Sequence, residues 1–192
     1  LLQPASGKMY FNDNGEMKDL LSLNKKDSFE LRKKLQIVFQ DPYASLNPVH
    51  TILEAFDEPM RIHGIGGGDK EKRKELIAKA LEMVNLQPEY MYRYPHEFSG
   101  GQRQRICVAK ALVLEPKLIV CDEPVSALDV SIQAQLLNLM RKLQKELGIA
   151  FVFIAHDLSV VQYMSDRIAV MYLGNIVELA DAHELYNNIK HF

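Results

Sequence analysis

Two adjacent carboxylates, Asp122 and Glu123, end the apolar run Leu118-Ile119-Val120-Cys121 and are followed by Pro124. Hydrolysis of a phosphate chain asks for such a pair: one carboxylate to hold Mg²⁺, usually through water, and a neighbour to position or deprotonate the attacking water. The same three residues also suit a helix start, with acids near the N-terminus and Pro at its first position. Ser99-Gly100-Gly101-Gln102 likewise admits two readings. Ser99 with Gln102 three residues later makes a capping box, a structural device. The two glycines also let backbone N–H groups approach a phosphate at the positive end of a helix. Gln40 ends a further apolar run, and His156 ends another, where it could equally be a core histidine. Polar groups at the ends of three such runs, beside a Gly-rich helix start, support a functional reading that none supports alone.

The elements that must position these groups are legible in outline. Leu35 to Phe39, Leu118 to Cys121 and Ala150 to Ala155 are nearly continuous apolar runs, which suits strands buried on both faces of a parallel sheet. Ligands of open α/β sheets bind at the carboxyl ends of the strands, so Gln40, Asp122, Glu123 and His156 are expected on one edge. Val130 to Leu147 carries Ile132, Leu136, Leu139, Met140, Leu143 and Leu147 at helical spacing, with Gly148 placed to end the helix. Asp69 caps a second helix with a stripe of Leu76, Ile77, Ala80, Leu81 and Val84. Its basic run Lys70 to Lys74 is interleaved with Glu71 and Glu75 and reads as a solvated face. Ile168–Leu173 and Ile176–Leu179 around Gly174-Asn175 predict a hairpin, and residues 6–15 a turn-rich β segment.

At 192 residues and 47% hydrophobic content, the chain can bury a substantial core within one domain. Its formal net charge of −2 gives no bulk field for nucleic acid or an anionic membrane. Cys107 and Cys121 sit in apolar patterns without metal-ligand spacing, as reduced, buried thiols do. No apolar stretch approaches the roughly 20 residues of a membrane span. Both ends read as cuts.

A G-x-x-x-x-G-K-S/T phosphate cradle occurs nowhere in the sequence. Gly7-Lys8 lacks the earlier glycine and is followed by Met9; Gly64 to Lys70 carries Asp69 where a glycine motif demands Gly, and reads as a turn.

Taken together, Phe98-Ser99-Gly100-Gly101-Gln102, the run Leu118 to Glu123, Ser126-Ala127-Leu128-Asp129, Gln40 and His156 resemble the signature, Walker B segment, D-loop, Q-loop and switch histidine of ABC transporter ATP-binding subunits, in that family's order. Residues 38–48, 94–105 and 122–135 are similar to those of bacterial and archaeal oligopeptide and dipeptide importers. The resemblance implies an α/β fold of the P-loop NTPase type, with a parallel core sheet, a helical subdomain over about 42–105 and a partial antiparallel β segment, truncated at its N-terminus. It implies ATP and Mg²⁺ as cofactors, with Asp122 and Gln40 toward the metal, Glu123 activating water, and Gln40 and His156 sensing the γ-phosphate. By the same resemblance Ser99, Gly100, Gly101 and Gln102 reach a nucleotide held by a second ATP-binding subunit, identical or not, with Asp129 at that interface.

A transmembrane permease and, indirectly, an extracellular peptide-binding protein are the other implied partners, with the subunit peripheral on the cytoplasmic face of the membrane. The family's Walker A loop and adenine-stacking aromatic lie before the position of Leu1. The 192 residues alone are therefore expected to be inactive, and less stable than a longer chain. Two rivals stand beside this reading: a soluble ABC ATPase acting on nucleic acid or ribosomes, and a non-hydrolytic interaction module built on the signature half.

Overall fold

The computed structural model describes residues 4–187. Strands β1 (Tyr10–Asp13) and β2 (Glu16–Asp19) form an antiparallel hairpin around Asn14-Gly15, where both residues take positive φ. Helix α1 (Lys25–Lys34), which no apolar stripe announces, starts at Asn24, whose side chain accepts from the Asp27 N–H. It ends in Arg32, Lys33 and Lys34, cations that suit the negative end of a helix. Strand β3 (Leu35–Val38) follows directly.

A helical stretch comes next: α2 (Pro42–Ser45), α3 (Ile52–Ile62), α4 (Lys70–Met83), two short 3₁₀ turns at Pro88–Tyr92 and Pro95–Glu97, and α5 (Gly100–Leu112). Thr51 and Glu54 close a capping box on α3, and the Asp69 side chain caps α4. The chain returns to the sheet as β4 (Leu118–Asp122), crosses through α6 (Val130–Leu147), ended by Gly148 at φ +65°, and continues as β5 (Ala150–Ile154). Helix α7 (Leu158–Met164), the hairpin β6 (Arg167–Tyr172) with β7 (Asn175–Asp181), and α8 (Ala182–Asn187) complete the described chain.

Strands β3, β4 and β5 form one parallel sheet in that order, with Leu35 opposite Leu118 and Leu118 opposite Ala150. Its core joins strand residues Val38, Ile119 and Cys121 to Ile106 of α5 and to Leu136 and Met140 of α6, and continues into Ile52, Phe56 and Leu81 of the helical stretch. The α/β class with a parallel core is thus present, the predicted hairpin over 168–179 forms, and the turn-rich β segment 6–15 contains β1 and the turn into β2.

Two expectations are corrected. Strand β5 is not buried on both faces: Phe151 and Phe153 pack on the core, while Val152 and Ile154 are 47% and 48% exposed. Its side chains alternate, and among the described residues only one face is covered. The basic run of α4 is not a uniformly solvated face either. Arg73 is buried, its Nε donating to Asp57 Oδ1 at 2.6 Å and its Cγ lying against Gly66. Ion pairing across to α3 outweighs solvation at that one position.

The β1–β2 hairpin is pinned to the start of the sheet by a single buried carboxylate. Asp13 accepts from Lys117, Lys34 and Lys18, and Lys34 and Lys117 immediately precede β3 and β4. These three ammonium groups, Lys117 foremost, hold its carboxyl far below the ordinary carboxylate range.

Candidate functional site

Because β3, β4 and β5 are parallel neighbours, the residues just past their ends share one edge. Gln40 lies two residues beyond β3, Glu123 one beyond β4 and His156 two beyond β5. Gln40 Nε2 donates to Glu123 Oε2 at 3.0 Å, and His156 Nδ1 lies 3.1 Å from Glu123 Oε1. Both oxygens of one carboxylate are therefore engaged, each by a residue from a different strand end.

Glu123 takes φ +44°, a conformation uncommon for a residue with a side chain and costing about 1–3 kcal/mol where it persists. Three hydrogen bonds hold it there. Its N–H donates to the Ile154 carbonyl at 3.0 Å, and its own carbonyl accepts from the Ser126 N–H at 3.3 Å and the Ser126 hydroxyl at 3.1 Å. Sequence reasoning passes over Ser126 as an individual residue. The signal available was its place three residues after an acid in a polar turn, where a hydroxyl bonds back to the backbone.

Asp122, the last residue of β4, stays outside that trio. It is exposed and lines a cleft of about 700 Å³ with Gln40, Asp41, Ser45 and Lys110. Beside the trio is a cavity of about 110 Å³ lined by Glu123, Ser126, Gln133 and His156, polar and large enough for water. Among the described residues no cluster of three His, Cys, Asp or Glu side chains could hold a metal by itself. The oxygen groups present suit Mg²⁺ all the same, since that ion binds through one or two carboxylates together with water and substrate phosphates.

The second group is the Ser99 loop. The capping box forms: Ser99 Oγ accepts from the Gln102 N–H at 3.3 Å, and Gln102 Oε1 from the Ser99 N–H at 3.0 Å. Gly101 has a packing reason as well, because a methyl there would sit 2.4 Å from Ile132 Cγ2 of α6; Gly100 faces Leu128 at 3.8 Å. The loop thereby abuts the segment holding Asp129, whose exposed side chain stands at the N-cap position of α6 without capping it. Among the described residues no hydrogen bond joins the Ser99 loop directly to the Glu123 trio.

Helix α5 links the two groups mechanically. Buried Gln104 donates to the Phe39 carbonyl at 3.3 Å, and Lys110 to that of Ser45 at 3.3 Å. The Arg103 guanidinium lies 3.8 Å over the Tyr43 ring and donates through Nε to the Pro95 carbonyl at 2.7 Å. The helix that carries Ser99 at its start thus also grips the segment that carries Gln40. Cys107 and Cys121 are buried free thiols whose pKa burial pushes up to about 12, so neither is a nucleophile.

Residues 1–126 match the family model described as ABC transporter. The chain belongs to that family. It is 51% identical over 191 residues to the glutathione import ATP-binding protein GsiA of Salmonella typhimurium, covering 100% of this chain and 30% of that protein. It is also 51% identical over 191 residues to the putative oligopeptide transport ATP-binding protein YkfD of Bacillus subtilis, and 55% identical over 168 residues to the oligopeptide transport ATP-binding protein OppF of the same organism. The chain spans 56% and 55% of those two relatives, which match 100% and 88% of it. Among solved structures, cbiO1 from Clostridium perfringens, part of the ABC transporter complex cbiONQ, superposes with a TM-score of 0.82 at 26% identity, covering 98% of this chain and 71% of that one. The dimeric ATP-binding cassette MJ0796 bound to ADP and Pi gives 0.79 at 28% identity, over 94% and 75%. No described helix of this ABC chain is long and apolar enough to cross a membrane.

Proposed function

We propose that this chain is the signature-bearing part of an ATP-hydrolysing subunit that drives peptide import through a membrane permease. The observation that carries the reading is the convergence of Gln40 and His156 on the two oxygens of Glu123. When bound, Mg²⁺–ATP supplies the phosphoanhydride to be cleaved and the cation that neutralises its charge. Asp122 and the Gln40 carbonyl would hold the metal shell, Glu123 would orient and deprotonate water, and His156 would face the terminal phosphate. Ser99, Gly100, Gly101 and Gln102 would meet a nucleotide held by a second ATP-binding subunit, with Asp129 at the contact. The exposed side chains of Asp129 and Ser99 support that assignment.

Residues 42–105 form the helical subdomain in this reading. The names of the relatives support peptide or glutathione as cargo; a permease as membrane partner, an extracellular peptide-binding protein upstream and a peripheral place on the cytoplasmic face belong to the same proposal. Because the 192 residues contain no phosphate-binding loop, in this reading they do not turn over ATP alone. The near-neutral net charge gives no bulk field that favours nucleic acid.

Calorimetry with Mg²⁺–ATP tests the reading, using Glu123→Gln to block turnover in this chain and in one extended upstream to include the loop. Binding by the extended chain alone is expected. Equally tight binding by the 192 residues would place the phosphate site elsewhere.

A further inference from the structure

The amide that holds Glu123 is itself held. Gln40 Nε2 carries two N–H groups, and the structure gives it two acceptors: Glu123 Oε2 at 3.0 Å and Ser126 Oγ at 3.2 Å. The Ser126 hydroxyl spends its own proton on the Glu123 carbonyl at 3.1 Å, leaving its lone pairs to accept from Gln40. One hydroxyl therefore serves both the strained backbone of Glu123, at φ +44°, and the amide bound to that residue's carboxylate. With His156 on the other oxygen, Glu123 has no carboxylate oxygen free of a protein partner.

We propose that Ser126 is a positioning residue that parks the Gln40 amide on Glu123 while no nucleotide is bound, so that Glu123 Oε2 is fully open to water, and Gln40 to the nucleotide, only after the amide is surrendered. This rests on the reading of Glu123 as the group that activates water. The parked and released arrangements are two states of one side chain, and anything that weakens the parked one raises the fraction released. Losing the hydroxyl removes one acceptor from Gln40 and one donor from the Glu123 turn. Threonine keeps both, and position 126 is exposed enough to take its methyl.

The test uses the whole protein with its phosphate loop, without permease. Ser126→Ala is expected to raise kcat/KM for Mg²⁺–ATP about fivefold, the factor for one net hydrogen bond of about 1 kcal/mol lost from the nucleotide-free state, through a lower KM, with Ser126→Thr within about twofold of wild type. A readout independent of turnover is proton exchange of the Gln40 side-chain amide without nucleotide, its NMR signals identified by their loss in Gln40→Glu. Exchange should be slowed in wild type and Ser126→Thr, and about fivefold faster in Ser126→Ala, where Glu123 Oε2 alone still accepts from the amide. An unchanged or lower kcat/KM in a folded Ser126→Ala protein, or a freely exchanging Gln40 amide in wild type, would overturn the proposal. A slowed amide in a wild-type protein that hydrolyses no ATP would overturn the functional reading first, and the gating role with it.

Discussion

Gly101 and Ile132 approach so closely that a methyl group on the glycine would lie 2.4 Å from Ile132 Cγ2. The start of α5, with its Ser99 cap, is thereby seated against the first turn of α6, next to Asp129. The glycine is needed for packing whether or not a phosphate ever approaches it.

Gly101→Ala is accordingly expected to destabilise the fold by about 1–3 kcal/mol, the usual cost of overpacking, since a β-branched neighbour cannot swing away freely. Urea unfolding measures it. In the Ile132→Ala background the same substitution should cost much less; equal costs in both backgrounds would show that the contact is not the cause.

Asp13 predicts a pH dependence. Its folded pKa lies below the ordinary value of 3.8, so its contribution to stability is complete above that value and is lost as pH falls from there toward the folded pKa. Asp13→Asn should lower stability at pH 7 by roughly 1–3 kcal/mol, as expected for lost hydrogen bonds to charged partners. The gap from wild type should shrink as pH drops below 4. A gap that does not change with pH would mean that the three lysines do not hold this carboxylate in solution.

Arg103 predicts a chemical specificity. Lysine preserves the charge but not the planar fork that covers Tyr43 while reaching the Pro95 carbonyl. Arg103→Lys should cost about 1–3 kcal/mol, read as a lowered urea midpoint, whereas Tyr43→Phe should be nearly neutral because the ring face remains. A neutral Arg103→Lys would contradict the geometry.

The thiols predict a null result in the native state. With burial pushing both pKa values up to about 12, Cys107 and Cys121 should react slowly with a thiol-specific chromogenic disulfide at pH 8 and rapidly once the chain is unfolded. Prompt native reaction of two thiols would show that the core around α5 and β4 opens easily.

Much of this architecture was written in patterns that follow from backbone geometry. Apolar runs ending in Gln40, Asp122-Glu123 and His156 announced parallel strands because such strands are buried and end where ligands bind. The period of Val130 to Leu147 announced α6. Helix α1 was not legible: it has no buried residue and rests on the Asn24 cap and terminal charges. The half-exposed face of β5 was hidden because an apolar run reads the same whether one face or two are covered. Within the site, strand ends could be inferred to converge, but not that Glu123 bonds to Gln40 and His156 at once, nor that Ser126 braces them. Those contacts depend on a left-handed turn at a glutamate, which no residue preference signals.

The most direct test of the central claim is phosphate release from ATP by the whole protein, compared between wild type and Glu123→Gln, with nucleotide binding measured on both. The account predicts hydrolysis by wild type, a loss of at least about 100-fold in the variant, as for removal of a group acting in the transition state, and retained ATP binding. Hydrolysis by Glu123→Gln at the wild-type rate would contradict it.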